Sequence, residues 1–210
     1  MTDVTRKGAV ARLFAAAVLG AGLYGCTAQS QKAEVASELA PFLIAEIPET
    51  AHREYVDFGG KLVLVAHEVT PDRKAGPGQN VNAKFYWKPI SVISPGWSLF
   101  THLEDALGKQ ARNFDEVGPF RKWLGGKAQA GLGLLELGNV YVDEQSFEMP
   151  PAAELAPEVL LVVGVWHGDM RLPVVSGPSD GHHAGIVTRI ETGLEWPKVA
   201  AKRSGKEVRR

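Results

Sequence analysis

Two stretches of this 210-residue chain gather the side chains that do acid–base or metal chemistry. One holds His102, Glu104, Asp105, Asp115 and Glu116; the other holds His167, Asp169, Asp180, His182 and His183. An imidazole and a carboxylate that converge within hydrogen-bonding reach can activate water. Carboxylates grouped on loops can hold Ca²⁺, which takes about six to eight oxygens. The spacing here forms no regular calcium loop, and Asp180-Gly181 ahead of the two histidines reads first as a turn. "HEVTP" at 67–71 begins like a zinc-protease helix but has no second histidine four residues on. There is no G-x-S-x-G elbow and no phosphate-binding G-x-x-x-x-G-K-[ST] loop, and "GLGLLE" at 131–136 lacks a further glycine for a dinucleotide fingerprint. No catalytic residue, metal or other cofactor is therefore assigned. A metal-assisted hydrolase built on His102, Asp105, His167 and Asp169 is kept as an alternative, on the condition that the four meet in one cleft.

His102 is set apart by its position inside an apolar run, on the same face as Phe100, which predicts a partly buried imidazole bonded to backbone or to a nearby carboxylate. Asp143 sits two residues after Tyr141 in a strand-like stretch and calls for a partner, with Arg171 or a neighbouring loop as candidates. Five tryptophans offer aromatic faces on which sugar rings can stack. Trp87 and Trp97 fall on apolar faces and are expected in the core. Trp123, beside Gly125-Gly126, and Trp166, beside His167, lie near turns and are the candidates for ligand contact, together with His102, Asp105, His167 and Asp169.

The single cysteine, Cys26, follows an apolar run and cannot form an internal disulfide. Arg6, Lys7 and Arg12 make a basic front, "LFAAAVLGAG" a short apolar middle, and "LYG" a small-residue exit, the three-part layout of an export signal. The apolar run is shorter than the roughly 18 residues of a membrane span, so cleavage is expected. "Leu23-Tyr24-Gly25-Cys26" resembles the lipobox of bacterial lipoproteins, departing from it at Tyr24, where a smaller residue is usual. That resemblance implies a lipidated Cys26 that ties the mature chain to a membrane. Two or more acyl chains make such attachment lasting, whereas one is marginal.

The remaining sequence divides into a signal peptide at 1–25, a tether at 26–50, a folded domain at 51–196 and a tail at 197–210. After Pro197 the chain carries six basic residues and one acidic one and is expected to be a solvated, flexible tail. The formal net charge is only −1, which gives no case for nucleic-acid binding. Within the domain, "KLVLVAHEV" (61–69), "NVNAKFYWK" (80–88), "WSLFTHLE" (97–104), "NVYVDEQSFEM" (139–149), "VLLVVGVW" (159–166), "RLPVV" (171–175) and "GIVTRIE" (185–191) read as strands. The alternation in 80–88 puts Val81, Ala83, Phe85 and Trp87 on one face. The unbroken apolar run 159–166 suits a central strand covered on both sides. Only "NFDEVGPFRKWLGG" offers a short helix, limited by Gly118-Pro119. The expected fold is all-β, an antiparallel β-sandwich of immunoglobulin-like or jelly-roll-like kind, with an N-terminal signal helix and flexible tails.

The pieces "VDFGGKLVLVAHEV", "PGQNVNAKFYWKPI", "FTHLED" and "VGVWHGDMRLPV", in this order, resemble the extracytoplasmic β-sandwich module of bacterial envelope proteins that follows membrane glycosyltransferases of the protein-mannosyltransferase type. The resemblance runs from about Phe58 to Ile190. It implies a sandwich fold and a place outside the cytoplasm, and supplies no reaction. The expected function is a lipid-anchored, non-catalytic binding or interaction module of the cell envelope. It would lie on the periplasmic side, with the outer membrane preferred because Thr27 is not an inner-membrane-retaining aspartate. Its expected partners are the membrane through Cys26, and envelope glycans or envelope protein complexes. A glycan-binding module is a second alternative beside the hydrolase.

Overall fold

The computed structural model describes residues 32–196; the signal peptide, Cys26 and the basic tail lie outside the described residues. The chain divides into two compact units, residues 1–41 and 42–210. In the first, residues 32–39 form a helix, α1, which ends at Pro41 in a 3-10 turn, Ala40–Phe42.

The second unit is an antiparallel β-sandwich with a mixed strand order in each sheet. The first sheet comprises β1 (Leu43–Ile44), β2 (His52–Phe58), β3 (Leu62–Thr70), β4 (Asn80–Pro89), β7 (Val140–Glu148) and β10 (Val174–Ser176), in the order β1-β7-β4-β3-β2-β10. The second comprises β5 (Ser98–Glu104), β6 (Gln110–Asn113), β8 (Glu158–His167) and β11 (Gly185–Glu191), in the order β11-β8-β5-β6, with β9 (Met170–Arg171) hairpinned onto β8. β1 lies ahead of residue 51, inside the segment expected as tether. β1, β2, β6 and β9 were not legible as strands: two of them have only two residues, and β2 (HREYVDF) and β6 (QARN) are rich in polar side chains. The expected strand 171–175 is split because Pro173 has no N–H for a ladder.

Period-two alternation places the core. Val81, Ala83, Phe85 and Trp87 of β4 are buried as expected, with the Trp87 ring 5.8 Å from that of Phe58. The two sheets meet where Phe114 stacks on Phe147 at 4.0 Å, and where a Cβ on Gly185 would come within 2.8 Å of Val56. The other face of the first sheet is also partly covered: Tyr86 packs with Ala51 and Ala66 against Ile44, Ile47 and Val142. Trp97, expected in the core, stands just before β5 and is only half-buried, its ring 5.6 Å from His167.

β8 is buried on both faces, as its unbroken apolar run predicts. Val159, Leu161, Val163 and Val165 alternate with Leu160, Val162 and Gly164, and the second set packs with Phe100, Ala184 and Ile186. The chain between β9 and β11 folds back over this outer face. Asp180 Oδ1 accepts from the N–H groups of His182 (2.8 Å) and Ala184 (2.9 Å), so Asp180 builds the turn its sequence suggests. Arg171 lies over the Phe100 ring at 4.5 Å and donates to the His182 carbonyl. Gly164 permits this closure, because a Cβ there would collide with the Phe100 ring.

The one α-helix among the described residues of this unit, α2 (Pro119–Gly126), starts with proline at its first turn, where a missing N–H costs nothing. Its entry residue, Gly118, has φ +98° and lies so close to β7 that a Cβ would collide with the Glu144 carbonyl oxygen. Phe120, Arg121 and Leu124 are the buried positions of the helix.

Candidate functional site

Arg121 is the structural pivot of the site. Its Nε donates to Asp143 Oδ2 at 2.6 Å and its Nη2 to the Thr101 hydroxyl at 2.9 Å, so one helical side chain joins β7 of one sheet to β5 of the other. Both members of the ion pair are buried. Burial pushes the Asp143 carboxyl up from the usual carboxylate range, and the Arg121 guanidinium opposes that push. This corrects the expectation for Asp143: its partner is Arg121, while Arg171 is engaged with Phe100 and His182. Nothing in the sequence around "FRKWLGG" marks Arg121 over its neighbour Lys122; only the helix phase sends it inward.

Arg121 also lines a cleft of about 610 Å³ beside the start of β5. Its walls are Ser98 and Leu99 of β5, the turn Asn113–Val117, the α2 residues Leu124 and Gly125, and Trp166 and His167 at the end of β8. The size and the mixture of apolar wall with a few polar groups are those of a small-ligand site. The strand edge facing it is already closed by other groups. The Trp166 indole N–H donates to the Leu99 carbonyl (3.2 Å), Leu132 N–H to the Trp97 carbonyl (2.8 Å), and Phe114 N–H to the Thr101 carbonyl (2.8 Å). Gly131–Leu134, the "GLGL" stretch, forms a 3-10 turn against Trp97.

Asp115 links this cleft to His102. Its Oδ1 accepts from Thr101 N–H at 2.9 Å and lies 3.3 Å from His102 Nε2, while its Oδ2 accepts from the Asn113 amide. On the opposite side of the imidazole, Glu104 Oε1 is 3.6 Å from Nδ1. His102 and Glu104 are both buried, and the imidazole ring lies 4.8 Å from that of Phe100. Burial by itself would lower the His102 pKa, but the two carboxylates together raise it above the usual histidine value. Burial likewise acts to raise Asp115, and the His102 ring with the Thr101 N–H more than offsets it, so Asp115 is lowered. Each ring nitrogen lies at ion-pair distance from a different carboxylate, without a hydrogen bond to it.

The other candidates separate. Asp105 Oδ1 accepts from Leu107 and Lys109 N–H groups and shapes the β5–β6 turn. Asp169 sits with Gly168 in the two-residue turn between His167 and its partner Met170, exposed. In the β5–β8 register Glu104 faces Leu160 and Ser98 faces Trp166, which places Asp105 and His167 beyond opposite ends of the ladder, about 26 Å apart along the strand. His102, Asp105, His167 and Asp169 therefore do not form one centre. Trp123 is not beside a turn but on α2, half-buried against Phe120 and Phe42. Trp166 is 37% exposed and is the tryptophan of the cleft. His67, of "HEVTP", lies in β3 with Nδ1 2.6 Å from Glu54 Oε1 and its ring 4.9 Å from His52. Among the described residues no group of three or more His, Cys, Asp or Glu side chains is placed to hold a metal ion.

No family model matches the chain. No curated protein matches it. Among solved structures it is similar to the CARDB domain of a Pyrococcus furiosus protein, a domain solved in complex with di-metal ions. The two share 9% sequence identity and a TM-score of 0.33, over 70% of this chain and 99% of that one.

Proposed function

We propose that this chain is a lipid-anchored module of the bacterial cell envelope that binds a ligand in the cleft beside β5 and catalyses no reaction on it. One observation carries the binding half of this reading. Of the residues that could do chemistry, Trp166 and His167 open into a cleft of ligand size, whereas the four side chains a hydrolase would need are split between the two ends of the β5–β8 ladder. The anchoring half rests on the basic, apolar and small-residue order that precedes Cys26. Held near a membrane by acyl chains, a cleft of modest affinity gains from high local concentration. The outer membrane is the favoured location, since Thr27 follows the cysteine.

Growth of a Gram-negative host expressing the full chain with an alkyne-bearing fatty acid tests the anchor. Label is expected on the wild-type protein, which should sediment with membranes, and none on a Cys26→Ser variant. A wild-type chain that stays unlabelled and water-soluble overturns the anchored reading.

A further inference from the structure

We infer that the cleft beside β5 takes a neutral, polyhydroxylated ring, a sugar residue of an envelope glycan, stacked on the Trp166 indole; this rests on the binding reading above and specifies its ligand. The indole N–H is committed to the Leu99 carbonyl at 3.2 Å, which holds the ring against the strand edge, and the side chain lines the cleft. An aromatic face held before the ligand arrives suits the apolar face of a pyranose and spares the entropy of ordering it.

The charges argue against an anionic ligand. Three charged side chains line the cleft: Asp115, Glu116 and Arg121. Arg121 is matched by Asp143, so it offers a donor without a surplus positive charge. Asp115 is engaged by His102, Thr101 and Asn113, and exposed Glu116 is the acidic group left on the wall to oppose an anion. A purely apolar ligand would strip water from Ser98, Asn113 and Glu116 without replacing its hydrogen bonds. An apolar face with hydroxyls around its edge meets all of these conditions, and a hexose is that shape.

The test uses the purified full chain in detergent with four probes: neutral gluco- and manno-configured tetrasaccharides, a tetragalacturonate and choline. Ligand-observed NMR and tryptophan fluorescence titration provide the readouts. Binding of a neutral tetrasaccharide is expected, weakened about 10-fold or more in Trp166→Ala, the equivalent of one lost aromatic contact. Trp166→Phe, which keeps a ring, is expected to lose less, and Tyr55→Ala, an exposed aromatic on β2, to lose nothing. Circular dichroism establishes that each variant keeps its β signature. Tighter binding of tetragalacturonate or choline overturns the sugar assignment and leaves the cleft standing as a binding site. Binding that Trp166→Ala leaves unchanged, in a folded variant, also overturns it. So does the failure of every probe to bind, which removes the support for a binding cleft as well.

Discussion

His102 shows how a single side chain carries information its neighbours in sequence do not. Its strand position and its place beside Phe100 were readable from "WSLFTHLE", and so was the need for a carboxylate near it. That Glu104 and Asp115 flank it from opposite sides was not readable, because Asp115 arrives from the far end of a turn eleven residues beyond Glu104. The raised His102 pKa makes a prediction about pH. A group whose folded pKa exceeds its unfolded value, about 6.5 for histidine, contributes its full stabilisation below that unfolded value and loses it as pH rises through the folded pKa. Asp115, lowered from 3.8, contributes above that value and loses its share as pH falls through its folded pKa. Thermal unfolding of the wild type is thus expected to show a fall in melting temperature as pH rises above about 6.5 that a His102→Gln variant lacks. Parallel melting curves for the two in that range would refute a charge interaction of His102 with Asp115 and Glu104.

At the scale of elements, close approach decides which positions tolerate change. Gly164 interrupts the most apolar strand of the chain, where glycine weakens a strand by itself. The structure supplies the reason: the Phe100 ring occupies the volume a Cβ would need, and the His183 carbonyl is 3.2 Å from the same point. Gly164→Ala is expected to displace Phe100 and Arg171 above it, at about 1–3 kcal/mol of stability, measured by urea unfolding. An unchanged unfolding midpoint would mean that the covering loop gives way without cost. The seven strands read from the sequence correspond to strands of the sheets, with the 171–175 stretch divided at Pro173. β1 and β6 were invisible because two to four residues carry too little periodicity to register, and β2 because its HREYVDF is rich in polar side chains.

For the whole molecule, the Arg121–Asp143 pair is what ties α2 to both sheets. Removing one partner of a buried ion pair leaves the other as an uncompensated charge, at a cost of about 3–5 kcal/mol. Asp143→Asn is therefore expected to lower stability by that amount. Joint replacement, Arg121→Met with Asp143→Leu, is expected to recover most of it, since two apolar side chains leave no charge behind. Urea unfolding of the three chains decides it: equal stability for the single and double variants would show that the pair is not what the single change disrupts. Arg121 of this pair also lines the cleft.

Local chemistry determined a good deal in advance. Alternation of apolar and polar residues is imposed by the pleat, so strands and their inward faces could be read residue by residue, and turn-formers such as Asp180-Gly181 act through bonds to their own near neighbours. The sandwich class follows from these. The joining of Arg121 to Asp143, the facing of His102 by Asp115 and Glu104, the dispersal of His102, Asp105, His167 and Asp169, and the opening of Trp166 into a cleft were decided by tertiary structure alone. Each depends on which strands pair and in what register, and those pairings join residues far apart in the chain, where periodicity carries no memory of distance.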